Sequence, residues 1–554
     1  MSQAIESLQG KSLRRWLWVL LGAFLLVWLI SLGHRALYNE DEGRYAEIPR
    51  EMLASGDWVI PRLNGLVYIE KPPLQYWATA ISEAVFGHND WAARLYNGLC
   101  GLATVYAICA MIRREWGAVA AVRAAIMLSS SLLFVLLGHQ LLLDMSLTLY
   151  MTLTFVGFCN AQRSARWRWW MLLSWAGISG AFLTKGLIAG VLPLFTLIVY
   201  CVLQRDLTPW RRLLLVRGAA LFAVLCLPWL ILIQMRLPQF FQFFFIREHF
   251  LRYLTKIEHR YQPWWFFIPV LIAGVLPWVL PALRALCVDW RASVPRPQFD
   301  LRRFAWVWCA VVFGFFSVSD SKLIPYILPM FPALALLMAT GPTPRLNRDL
   351  RATGIGMLLL GVLLLAGAVL LPRILHEPHL YHPLRVPYFL GIRPVLVIMG
   401  LCSIGGGVAA WRARPDGIRP TLAVGVGGFA TWAAALWAAV VLAPVYSGAT
   451  LYDQLPQALR QGVPVYSVRT YDQSLTFYLR HPVTLVEYRG ELDFGETLEP
   501  ARSIATLGAF APVWRASAQA LAVVERPTYQ QMQQQGFSMV IRASSPARLI
   551  VSRR

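Results

Sequence analysis

Near-continuous apolar runs decide what this chain can fold into. Thirteen reach roughly bilayer-spanning length: 16–32, 91–112, 118–137, 141–159, 169–184, 186–203, 213–233, 264–283, 304–318, 323–340, 354–371, 389–410 and 422–442. Several are short, which leaves the count open by one. Only 14% of the 554 residues are charged, against about 25% in a soluble domain, so a water-soluble surface could not be covered. The expected fold class is a polytopic α-helical membrane protein. Its 23 Trp, 28 Phe and 20 Tyr suit interfacial belts. Disordered, collagen-like and nucleic-acid-binding readings fit poorly.

A formal charge of +22 would suggest nucleic acid in a soluble protein. In a polytopic one it reflects basic cytoplasmic loops and lipid headgroups. With Lys11, Arg14 and Arg15 in the cytoplasm, alternate loops on that side carry Arg113/Arg114, Arg163/Arg166/Arg168, Arg205/Arg211/Arg212, Arg284/Arg291/Arg296/Arg302/Arg303, Arg345/Arg348/Arg351 and Arg412/Arg414/Arg419. The opposite short loops carry at most one basic residue each, and an odd helix count sends the C-terminus outside. The first run follows two arginines as a signal peptide would, but no small-residue cleavage site follows it, so it reads as an uncleaved anchor. The eight cysteines form no CxxC pair and read as core thiols.

This topology leaves two long external loops, 34–90 and 234–263. Within the first, 74–86 is apolar but interrupted by Gln75, Thr79, Ser82 and Glu83, and reads as a helix lying in the interface. Residues 446–554 alternate β-like stretches (463–468, 483–488, 539–541, 549–552) with helix-like ones (473–479, 529–535), which predicts a small external α/β domain. Its acids Asp453, Asp472, Glu487, Glu491 and Asp493 read as solvated surface.

Ionisable groups inside a bilayer are costly and usually functional. Here Arg94, Arg123 and Arg217 fall near helix ends, and Asp144, Lys185, Asp320 and Lys322 at external ends. A pump or ion-coupled transporter wants such groups near the midplane, so the pattern points to chemistry at one face. Tyr38-Asn39-Glu40-Asp41-Glu42-Gly43-Arg44-Tyr45 opens the first external loop, as either a solvated cap or a reactive acid cluster. Glu70-Lys71-Pro72-Pro73 precedes the interfacial helix, with proline fixing its start. The second loop holds Arg247, Glu248, His249, Arg252, Lys256, His259 and Arg260, and Ser321-Lys322-Leu323-Ile324-Pro325-Tyr326 opens a later helix. Carboxylates among cations at a lipid-accessible face suit an anionic lipid substrate. Lys and Arg hold phosphate oxygens; carboxylates serve as base, as stabiliser of an oxocarbenium-like transition state, or as metal ligands.

Taken in order, these motifs resemble those of the GT-C membrane glycosyltransferases, which include protein O-mannosyltransferases and, most similar here, the bacterial lipid A 4-amino-4-deoxy-L-arabinose transferases. The resemblance implies a transmembrane catalytic domain over 1–445 and a periplasmic α/β domain over 446–554. It implies an undecaprenyl phosphate-linked sugar donor, a lipid A acceptor, the inner membrane, polymyxin resistance, no nucleotide cofactor and a monomer. By motif, Asp41 takes the place of the family's catalytic carboxylate with Glu42 beside it, and Asp144 that of the second external acid. Lys71, Lys322 and Tyr326 become candidates to hold phosphate, with Arg44, Lys185, Arg247, Arg252 and Arg260 as further ones. A divalent metal, Zn or Mg/Mn, would use Glu70 with His249, or Asp41 with Asp144, although no ligand spacing compels one and His249 by itself reads as an ordinary loop histidine. The aromatic run 240–245 with Trp264 and Trp265 suits either a polyprenyl groove or an interfacial belt. Transfer of another sugar to protein or glycan, and transport of a lipid-linked sugar, stay open as alternatives.

Overall fold

The computed structural model describes residues 11–251, 261–288, 299–375, 383–414, 417–460, 462–517 and 519–553. A backbone in hydrocarbon finds hydrogen-bond partners only within itself, and the apolar runs are accordingly helical. In chain order the principal helices are α1 (Lys11–Ile30), α2 (Asp41–Ser55), α3 (Leu74–Phe86), α4 (Asp90–Ser129), α5 (Leu132–Gly138), α6 (Leu143–Arg163), α7 (Trp167–Lys185), α8 (Ile188–Gln204), α9 (Leu215–Arg236), α10 (Phe267–Gly274), α11 (Val279–Cys287), α12 (Leu301–Val318), α13 (Phe331–Ala339), α14 (Thr343–Leu375), α15 (Arg393–Arg412) and α16 (Arg419–Tyr446). Among the described residues seven helices are long and apolar enough to cross a membrane, and α5 with α6 forms a further pair bent by 114°.

Several of the thirteen runs are interrupted for local reasons. Runs 91–112 and 118–137 meet in α4, which breaks at Gly117, where φ is 83° and ψ is −179°. Run 264–283 is divided into α10 and α11 on either side of Pro277. Run 323–340 opens as a tight 3₁₀ segment, Ile324–Met330, containing two prolines, before α13 begins.

The basic loops gather at one end of the bundle. Arg163 pairs with Glu115 at 2.8 Å, and Arg212 donates to the carbonyls of Ala161 and Gln162. Arg303 reaches Gln204 at 3.0 Å, and Arg284 pairs with Asp349 at 3.0 Å. At the other end the start of the first long loop is tied to the end of α16: Tyr38 donates to the Ala439 carbonyl at 2.6 Å and the Asn39 amide to that of Tyr446 at 2.6 Å.

Helix α3 has the expected bounds, and its polar interruptions prove to be an inward stripe. Gln75, Thr79, Ser82 and Glu83 are buried, whereas Ile81, Val85 and Phe86 are exposed. Gln75 donates to Asn97 on α4 at 3.0 Å and accepts from Ser146 on α6 at 2.8 Å. A hairpin unforeseen from the sequence pairs β1 (Arg62–Leu63) with β2 (Leu66–Val67). Its turn residues Asn64 and Gly65 both have positive φ, the two-residue geometry that Asn-Gly favours.

The C-terminal α/β domain contains β3 (Val465–Val468), α17 (Gln473–Leu479), β4 (Thr484–Val486), β5 (Ser503–Ile504), α18 (Leu507–Ala516), β6 (Leu521–Glu525), α19 (Arg526–Gln534), β7 (Met539–Ser544) and β8 (Arg548–Arg553). The sheet order is β5-β4-β3-β6-β8-β7, parallel from β5 to β6 and antiparallel beyond. Asp453 and Asp493 are exposed as expected, but two of the five acids are less solvated. Asp472 is buried, caps α17 through Leu475 and pairs with Arg548 at 2.6 Å, and Glu491 is largely covered.

A side chain at position 117 would have to adopt a backbone region essentially confined to glycine, at a cost of about 1–3 kcal/mol. Gly117→Ala should therefore lower the thermal midpoint of the detergent-solubilised protein, whereas alanine at Gly190, which has no positive φ and open space around it, should not.

Candidate active site

The first turn of α2 separates two neighbouring acids. Glu42 points inward and is 2% exposed. Its carboxylate oxygens accept from Arg35 at 2.5 and 3.0 Å, from Arg94 at 2.8 and 3.1 Å, from the Tyr38 amide at 2.9 Å and from the Leu141 amide at 3.0 Å. That is three donors per oxygen, which leaves no lone pair for a substrate. Burial alone would raise this carboxyl; the Arg35 and Arg94 guanidiniums outweigh it and hold it well below the ordinary carboxylate range. Glu42, expected beside Asp41 in the chemistry, is instead a structural anchor. Arg35 and Arg94 are the partners that the sequence reading missed.

Asp41 takes the opposite orientation. Its side chain is 54% exposed at the N-terminus of α2, where backbone amides favour negative charge. The residue before it, Glu40, sits at φ 64°, a strained conformation of the kind that clusters at active sites. Arg44, one turn on, donates to Asp41 at 3.2 Å and is buried.

Behind Asp41 stands a wall of buried tyrosines, Tyr45, Tyr68 and Tyr76, with the Tyr45 and Tyr76 rings stacked at 6.1 Å. Burial raises the Tyr45 hydroxyl strongly; Arg44 opposes, and the charges of Asp41, Glu70 and Asp144 add to the rise. The Arg44 guanidinium lies 5.8 Å from the Tyr45 ring and 5.9 Å from that of Tyr68. Asp144, in the first turn of α6, bonds Lys185 at 2.6 Å, and the Lys185 ammonium lies 4.6 Å from the Tyr326 ring centroid. Lys71 lies 3.8 Å from Glu70 and 3.4 Å from Glu248.

Other expected phosphate ligands are placed differently. Lys322 is buried and donates to the carbonyls of Gln262 and Ser319, so two of its donors brace the loop. It borders a cavity of about 350 Å³ with Tyr261, Trp264, Phe313 and Val318. Arg247 is exposed, with its guanidinium 5.2 Å from the Phe243 ring. Arg252, Lys256, His259, Arg260 and the side chain of His249 lie outside the described residues. The aromatic run divides: Phe240 and Phe244 are buried and stacked at 5.1 Å, while Phe241, Trp264 and Trp265 are exposed. Of the proposed metal pairs, Glu70 with His249 cannot be followed, since the His249 side chain lies outside the described residues. Glu70 faces Lys71 and Asp144 faces Lys185, ammonium neighbours that oppose a divalent cation. Among the described residues no three His, Cys, Asp or Glu side chains are grouped to hold one.

Residues 16–244 match the family model described as dolichyl-phosphate-mannose-protein mannosyltransferase, and residues 451–553 match the aminoarabinose transferase C-terminal domain. Undecaprenyl phosphate-alpha-4-amino-4-deoxy-L-arabinose arabinosyl transferase 2 of Pseudomonas fluorescens is 34% identical over 515 residues, which cover 87% of this chain and 82% of that protein. The chain belongs to the aminoarabinose transferase family. A Pseudomonas aeruginosa member is 36% identical over 413 residues, 72% of each chain. The crystal structure of ArnT from Cupriavidus metallidurans bound to undecaprenyl phosphate superposes with a TM-score of 0.89 at 34% identity, covering 97% of this chain and 98% of that one. The likeness spans both the GT-C helical bundle and the α/β domain that follows it.

Two measurements test the site's foundations. Glu42→Gln removes the carboxylate that the buried Arg35 and Arg94 guanidiniums share and should cost about 3–5 kcal/mol, seen as a large drop in thermal midpoint. Glu51, buried on α2 one turn from Glu47, accepts the Gly65 amide at 2.9 Å; burial, with the Glu47 charge adding, raises its carboxyl to about 8. The folded state thus keeps a proton that the unfolded chain releases above about 4.3. This stability is fully present below that value and is lost as pH rises to about 8. The thermal midpoint should fall across that window, and Glu51→Gln should flatten the fall.

Proposed function

We propose that this chain transfers 4-amino-4-deoxy-L-arabinose from undecaprenyl phosphate to a phosphate group of lipid A. It does so in the bacterial inner membrane, with the face that bears the C-terminal domain in the periplasm. The observation that carries the reading is the accessible Asp41 carboxylate, set at a helix N-terminus and touched by the buried Arg44. The relatives' names, together with the ArnT structure that binds undecaprenyl phosphate, support this donor. The basic loops at the opposite end support the orientation.

In this reading an oxygen of the lipid A phosphate forms a bond to the anomeric carbon, the bond from that carbon to the carrier oxygen breaks, and undecaprenyl phosphate departs. A phosphate monoester has a second pKa near 6, so the acceptor is already largely dianionic and needs no base. Asp41 stabilises the positive charge that develops on the sugar. Lys71, beside Glu70 and Glu248, and Lys185, beside Asp144 and Tyr326, supply the cations that hold phosphate oxygens. Adding a cationic sugar weakens the attraction of polymyxin and other cationic peptides to the membrane surface.

Purified protein given a synthetic undecaprenyl phosphate aminosugar and lipid A in detergent should yield glycosylated lipid A and free carrier phosphate; a transporter would yield neither. Asp41→Asn should reduce the rate about a hundred- to a thousandfold. The pH–rate profile should be flat between about 6.5 and 8 in both proteins. A steep limb abolished by the substitution would assign Asp41 the role of base instead.

A further inference from the structure

Arg44 splits its guanidinium between two carboxylates on different domains. Nη1 donates to Asp41 at 3.2 Å, and Nη2 is in tight contact with Oε2 of Glu491. The Asp41 contact is longer than the 2.7–2.9 Å usual for a charged pair, so the shared arginine is held by Glu491 and only brushes Asp41. The other Glu491 oxygen accepts from the Gln473 side chain at the start of α17. Gln473 in turn donates its backbone amide to the Asn39 side chain at 2.9 Å. α17 lies directly against α2: a Cβ at Gly43 would stand 2.3 Å from the Ser474 amide nitrogen. The Tyr478 hydroxyl, at the far end of α17, accepts from the Leu37 amide at 2.7 Å and donates to Asp90 at 2.8 Å. The C-terminal domain therefore reaches the reactive loop through charge, amide and close packing at once.

We propose that Glu491, supplied by the C-terminal domain, is a positioning residue for Asp41: it restrains Arg44 so that the arginine orients the Asp41 carboxylate without capturing it. An arginine fork suits bidentate capture of a single carboxylate. With Glu491 neutral, the fork is free to rotate onto Asp41 and close both of its oxygens, and the charge that should face the sugar is then cancelled. This inference rests on the reading of Asp41 given under Proposed function.

The test uses the full-length protein in detergent with the undecaprenyl phosphate aminosugar and lipid A. Glu491→Gln keeps the side chain's shape and its bond to Gln473, and should lower kcat roughly ten- to a hundredfold with the donor KM changed less than about threefold. Glu491→Asp should recover part of the loss. Because Glu491 acts through Asp41, adding Glu491→Gln to Asp41→Asn should cost nothing further. An unchanged kcat in Glu491→Gln, or an additive loss in the double variant, would overturn the proposal. A second arm is independent of turnover: hydrogen exchange of the amides of residues 38–46 should accelerate in Glu491→Gln while the β3–β8 sheet stays protected. Identical exchange in the two proteins overturns the inference, and wild-type protein that transfers no sugar overturns the functional reading instead.

Discussion

The face that bears the C-terminal domain is organised around one buried carboxylate. Glu42 gathers the chain that follows α1, through Arg35 and the Tyr38 amide, to α4, through Arg94, and to the turn before α6, through the Leu141 amide. Asp41 is its immediate neighbour in sequence and Asp144 lies three residues after Leu141, so this one lock fixes the two acids relative to each other. A buried charge left without partners costs several kcal/mol, which makes the arrangement close to all-or-none. Asp90 is near enough to Arg94 to share its charge, so two carboxylates face two guanidiniums.

The cations of the face follow a similar logic. Lys71 and Lys185 each sit on carboxylates, and Arg44 bridges two. Such pairing lets a lysine or arginine remain charged in a partly dry setting. A tyrosine wall lowers the local dielectric and strengthens each of these interactions.

Much of this was legible in the sequence where one physical rule acts alone. Hydrocarbon allows a spanning chain little but helix, so the apolar runs were readable, and the bounds of α3 and α17 were as expected. What escaped depends on contacts between distant residues. Asp41 and Glu42 look alike in a string of acids, yet a helix turns about 100° per residue, which sends one outward and the other into the core. The partners of Glu42 include Arg94, 52 positions away, whose signal was a charge within an apolar run; it read as a helix end. Glu491 looked solvated because nothing local announces that Arg44 will cover it. The strand Leu521–Glu525 escaped because it is buried for most of its length and lacks the alternation of a half-exposed strand.

The contacts of Asn39 with Gln473 and of Leu37 with Tyr478 join positions more than 430 residues apart. Synthesis proceeds from the N-terminus at about 5–20 residues per second, so the loop holding Asp41 emerges long before α17 exists to brace it. The reactive face thus stays unfinished for most of translation, and a chain halted before its final domain would sit in the bilayer with its helices formed and its machinery unassembled.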